Sequence, residues 1–97
     1  MKKLLIISLF IPLVSFGQTA NEFAKGGHEK FKLKDYYGAI SDYTKAIEIY
    51  PNTDYAYANR GAMKAILKNL KGACVDWKKA AELGNKDAAD WLAQDCK

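Results

Sequence analysis

The stretch Gly27–Pro51, GHEKFKLKDYYGAISDYTKAIEIYP, decides how the chain folds. Its second half places apolar residues at Ala39, Ile40, Tyr43, Ala46, Ile47 and Tyr50. Steps of one, three and four residues line one face of an α-helix, whereas a strand face repeats every two residues. The same face returns 34 residues later as Ala73, Cys74, Trp77, Ala80 and Ala81.

Laying Phe23–Ile49 over Tyr57–Leu83 without a gap tests this recurrence. Identical residues recur at Ala24 and Ala58, Gly27 and Gly61, Lys30 and Lys64, Lys34 and Lys68, and Gly38 and Gly72. They recur again at Ala39 and Ala73, Asp42 and Asp76, Lys45 and Lys79, Ala46 and Ala80, and Glu48 and Glu82. Phe23 with Tyr57, and Tyr43 with Trp77, keep aromatic bulk. The chain is an internal repeat.

Working outward, Thr19 or Asn21 is the candidate cap of a first helix reaching about Leu33, with Phe23, Ala24, Gly27 and Phe31 on its apolar face. Lys34-Asp35 forms a turn, and a second helix runs from about Tyr36 to Tyr50, stopped by Pro51. Thr53 or Asp54 caps a third helix to about Lys68, with Tyr57, Ala58, Gly61, Ala62 and Ala65 inward. Asn69-Leu70-Lys71 is the next turn. A fourth helix covers about Gly72 to Leu83 and ends at Gly84-Asn85, where glycine suits a left-handed cap. A last helix spans about Lys86 to Asp95, with Ala88, Ala89, Leu92 and Cys96 on its inner stripe. The fold class is all-α, an antiparallel helix-hairpin array of two helix pairs and a capping helix.

Residues 1–17 read as a leader. Lys2 and Lys3 precede the apolar stretch Leu4–Phe16, and Ser15 and Gly17 supply the small residues expected before a cleavage site. As a helix this stretch rises only about 20 Å, short of a roughly 30 Å hydrocarbon core, which disfavours a membrane anchor. The expected product is an exported protein, periplasmic or secreted, with one domain at 18–97 and no stable membrane insertion. Removing Lys2 and Lys3 lowers the net charge from +4 to +2. Acids and lysines are interspersed, and Arg60 is the one arginine, so no nucleic-acid-binding stripe is present.

The 34-residue period, with Phe23, Gly27, Phe31, Ala39, Tyr43, Ala46 and Pro51 at its landmarks, resembles the tetratricopeptide repeat. The second copy offers Tyr57, Gly61, Ala65, Ala73, Trp77, Ala80 and Asn85, with Ala65 small for its place and Asn85 replacing proline. The segment AAELGNKDAADWL also resembles the helix junction of Sel1-like repeats. The resemblance implies a repeat at about 20–53, another at about 54–85 and a solvating cap at about 86–96. It implies a noncatalytic protein–protein interaction module presenting a small concave groove to a protein or peptide. An alternative is a structural self-association unit, a homo-oligomer stacked through its uncovered N-terminal helix.

If the last two helices fold back about Gly84-Asn85, Cys74 and Cys96 face each other and an exported chain would bridge them. The alternative is two independent thiols, with Cys74 a small core residue. His28 is the one histidine and has no partner at ligand spacing, so neither a metal site nor a catalytic set is expected. No cofactor is implied, and Ser41 has no evident activating base.

In the family that the repeat resembles, the first helix of each pair lines the groove. The matching positions are Asn21, Ala24, Lys25, His28 and Lys32, then Tyr55, Ala58, Asn59, Ala62 and Ile66. The first set is basic and polar, the second aromatic and mostly apolar, which suits a peptide with some acidic character. A clamp for a terminal carboxylate is not supported, since Asn59 alone matches its pattern.

Overall fold

Asp35, Thr53, Asn69 and Asn85 each stand just before a helix and accept a hydrogen bond from a backbone N–H three residues on. Short oxygen-bearing side chains satisfy amides that the first helical turn leaves without partners. The computed structural model describes residues 16–97, so most of the expected leader lies outside them. Five helices are present among the described residues: α1 (Phe16–Lys32), α2 (Tyr36–Ile49), α3 (Asp54–Ile66), α4 (Leu70–Glu82) and α5 (Lys86–Asp95). Sequence neighbours pack against each other as antiparallel hairpins. None of these helices is long and apolar enough to cross a membrane.

Three of the four turns are one device. Leu33-Lys34-Asp35, Leu67-Lys68-Asn69 and Leu83-Gly84-Asn85 each place their middle residue at positive φ, 62°, 69° and 100°. In each, the third residue donates its N–H five residues back, at 2.8 to 2.9 Å, and the middle residue donates three back. That pair of bonds is a Schellman closure. The residue that completes it is also the N-cap of the next helix, so the helix pair is joined with no spare residue. The fourth turn, Pro51-Asn52-Thr53, is different and separates the repeats.

Two helix starts differ from the sequence expectation. α1 is already helical at Phe16, the first described residue, so Thr19 and Asn21 lie within the helix and not at its start. α4 begins at Leu70, because Asn69 is a cap and not the first residue of a three-residue turn.

The core is a row of alanines with two aromatic plugs. Ala39, Ala46, Ala73 and Ala80 are fully buried, with Tyr43 and Trp77 between the helices. A Cβ on Gly27 would come 2.9 Å from the Tyr43 ring, and one on Gly61 would come 2.7 Å from Trp77. Glycine at these two places is what lets the ring reach the opposite backbone. Phe31, expected inside, is exposed at the end of α1, and Tyr50 is exposed beyond α2. Ala56 and Met63, unassigned from sequence, are buried against the first repeat. On α5, Ala89 faces solvent; Trp91 takes the inner place, its ring 5.4 Å from that of Trp77.

Burial, then the neighbouring Tyr55 and Asp42, push the Tyr43 phenol well above its ordinary value. An unfolded tyrosine ionises near pH 10, whereas the native one holds its proton. The stabilisation is therefore complete below about pH 10 and is lost as pH rises from there through the native value. Urea midpoints recorded on either side of about pH 10 should fall on the alkaline side. Tyr43→Phe should flatten that fall, and an equally steep fall in the variant would assign it to other groups.

Cys74 and Cys96 form a disulfide, with Cα atoms 5.8 Å apart, joining α4 to the end of α5. α5 needs it: Ala88 is its one fully buried residue, with Trp91, Leu92 and Cys96 half-buried beside it. Closing a loop of 22 residues' separation is worth about 3 kcal/mol on the chain-entropy model. Reduction by a dithiol should lower the thermal midpoint clearly, and a midpoint unchanged by reduction would contradict this.

Candidate functional site

α1 and α3 are the first helices of the two pairs, and they flank a depression of about 450 Å³. Its walls are Asn21, Glu22, Ala24 and Lys25 from α1 and Tyr55 from α3. Asn21, Glu22 and Lys25 are exposed along α1, while Ala24 is buried at the floor. Tyr55 lies one residue into α3, and the buried Tyr43 meets its ring edge-on, with centroids 6.5 Å apart. The site therefore offers an amide, an ammonium, a carboxylate and one aromatic ring in edge-on contact with the core. It can hold a polar chain by hydrogen bonds and ion pairing.

Four residues expected at the groove, Asn21, Ala24, Lys25 and Tyr55, come together here. His28, Lys32, Asn59 and Ile66 do not line the depression. His28 is exposed and stacks near Phe31, with centroids 6.0 Å apart, and Lys32 pairs with Glu29 at 3.3 Å. Asn59 is half-buried and Ile66 is exposed at the far end of α3. Ala62 and Ala58 pack into the core clusters. Glu22 went unassigned, and it makes the wall mixed in charge where the sequence suggested a basic one. Its repeat counterpart is Ala56, buried against the first repeat, so periodicity assigns position 22 inward. No repeat precedes α1 among the described residues, and Glu22 faces solvent.

Apart from the depression, an ion cluster joins the repeats. Asp76 is 2% exposed and accepts from Arg60 through Nε and Nη2, both at 2.8 Å, and from Lys64 at 3.0 Å. Arg60 Nη1 also donates to the Thr44 hydroxyl at 3.3 Å, which itself donates to the Ile40 carbonyl. The carboxylate bond raises the guanidinium's pKa despite its burial. The first repeat holds the plainer version, Lys30 with Asp42 at 3.0 Å. There Gly26 occupies the place of Arg60, and a Cβ on it would come 2.8 Å from the Asp42 carboxylate.

Paired helices of this length, repeated at 34 residues with a small residue opposite each aromatic plug, are the arrangement that the sequence resemblance implied. The array is tetratricopeptide-like. The chain is 39% identical over 66 residues to a STIP1 homolog of Dictyostelium discoideum. It is 47% identical over 53 residues to RNA polymerase II-associated protein 3 of Xenopus tropicalis. Both relatives contain tetratricopeptide repeats. The matches take in 68% and 55% of this chain but only 12% and 8% of the relatives' lengths. No family model and no solved structure matches the chain.

Proposed function

We propose that this chain is a noncatalytic protein–protein interaction module of the tetratricopeptide type, working outside the cytoplasm. It receives a peptide or protein segment in the depression between α1 and α3. The observation that carries this reading is that depression, built from the first helix of each pair with Tyr55 edge-on to the buried Tyr43. Two relatives with tetratricopeptide repeats support it, one of them named for its association with RNA polymerase II. The leader reading supports export, and a disulfide between Cys74 and Cys96 suits an oxidising compartment. The Ala80-Ala81-Glu82-Leu83-Gly84 junction supports a Sel1-like manner of ending the array.

The test is site-directed photocrosslinking in the native compartment, from a probe at Tyr55 and from a control probe at the exposed Val75 of α4. Capture of a defined protein from Tyr55 and not from Val75 supports the groove. Equal capture from both positions removes it.

Self-association by stacking is the weaker reading. In α3 the side facing the first repeat carries Ala56, Ala62 and Met63, all in the core cluster. The corresponding positions of α1 are Glu22, His28 and Glu29, all exposed. A second copy seated there would desolvate three polar side chains with no partners supplied. Light scattering that shows a monomer at high concentration is the expected result.

A further inference from the structure

Helices that run up and down put alternate turns at opposite ends, so the α1–α2 and α3–α4 turns share one rim of the array. That rim carries apolar side chains the core does not use. Leu33 is 79% exposed and Tyr37 75%, and Leu70 is exposed beside them in the next hairpin. Between them stand Lys34, Lys68 and Lys71, none of which makes an ion pair among the described residues. Two acids nearby are engaged, Glu29 pairing with Lys32 and Asp35 capping α2, and the end of α5 brings Asp95 and Lys97 to the same rim on either side of Cys96, which is bonded to Cys74. At the opposite rim the helix ends around the α2–α3 and α4–α5 turns bring Glu48, Asp54, Glu82 and Asp87 against Lys79 and Lys86.

We propose that the basic, apolar rim docks on an anionic phospholipid surface, with the leader playing no part in the contact. Charge complementarity selects the lipid: three lysines outside any ion pair flank projecting apolar tips, and the far rim carries more acids than lysines. The shape selects it over an acidic protein. The tips are helix-joining turns in a row at the end of the array, and a bilayer surface needs no matching concavity. A headgroup layer would accept Leu33, Tyr37 and Leu70 at the acyl boundary while the lysines meet phosphate. This docking is independent of the groove, which opens between α1 and α3 and stays free for a partner.

Sedimentation of the full chain with vesicles of phosphatidylglycerol and phosphatidylcholine tests it against vesicles of phosphatidylcholine alone. Because Leu4–Phe16 is itself apolar, the comparison that decides is between variants sharing that segment. Lys34→Gln/Lys68→Gln/Lys71→Gln should weaken binding to the anionic vesicles about tenfold or more. Leu33→Ser/Tyr37→Ser should weaken it as well, and Lys86→Gln on the far rim should leave it unchanged. Circular dichroism establishes that each variant is folded. Equal binding by wild type and both rim variants would assign the contact to the N-terminal segment and overturn the proposal. No preference for the anionic vesicles, or binding to polyglutamate and not to vesicles, would overturn it too.

Discussion

Trp77→Ala should cost about 3–5 kcal/mol of folding stability, the range for truncating a buried large aromatic. A domain of this size has a marginal core, so much of the population would unfold at room temperature. The loss has three physical parts. The ring fills the gap that Gly61 leaves open, with the glycine backbone against Cδ1 and Nε1. It meets the tilted ring of Trp91, one of the few contacts holding α5. Its indole N–H satisfies the buried Ala58 carbonyl at 3.2 Å. Gly61→Ala attacks the same contact from the other side, since the new Cβ would meet Trp77 at 2.7 Å and the Ala73 carbonyl at 3.1 Å. Overpacking of this kind costs about 1–3 kcal/mol. With Trp77 already alanine the ring part of that clash is gone, so the double variant should be less destabilised than the two losses added. Urea unfolding of the four proteins measures the coupling. Additivity within about 0.5 kcal/mol would mean that Gly61 is not there for the ring.

The fold was legible because the features that set it are local and repeated. A 3.6-residue apolar period, a 34-residue recurrence and Pro51 are each readable without knowing what packs on what. Asn69 shows where that stops. It reads as turn composition, yet its two jobs, closing α3 and capping α4, depend on a bond five residues back that composition does not display. The Leu33 and Leu67 identity, with Asp35 and Asn69 two residues on, is the sequence mark of that double role. Ala89 and Trp91 show a second limit. On a ten-residue helix several stripes are nearly equal, and the choice falls to Trp77, which pulls Trp91 in. The depression was half legible, because repeat periodicity assumes a neighbour on both sides. Glu22 sits at a position the second repeat buries, and only the absence of a preceding hairpin among the described residues turns it outward.

Asp76→Ala should be the most damaging single change on the polar side, at about 3–5 kcal/mol, because it removes the buried carboxylate that two largely buried cations share. Asp76 is 2% exposed and holds both Arg60 and Lys64, whose side chains are 17% and 24% exposed. Removing the carboxylate leaves a guanidinium and an ammonium facing each other across a gap. Arg60 then keeps only the 3.3 Å bond to Thr44, so the tie between α2 and α4 through α3 loosens. The first repeat supplies an internal control. Asp42 stands at the same place with one partner, Lys30, whose side chain is 41% exposed. Solvent screens that pair, so Asp42→Ala should cost only about 1 kcal/mol. The identities of Asp42 with Asp76 and Lys30 with Lys64 are plain in the sequence, but the ranking comes from Gly26 and Arg60, the one position where the two clusters differ. Grafting that difference tests the account. Arg60→Gly should turn the second cluster into the first and bring the cost of Asp76→Ala, measured in that background, down towards that of Asp42→Ala. If Asp76→Ala costs the same with and without Arg60, the bidentate bond contributes nothing and the junction is held by its alanines alone.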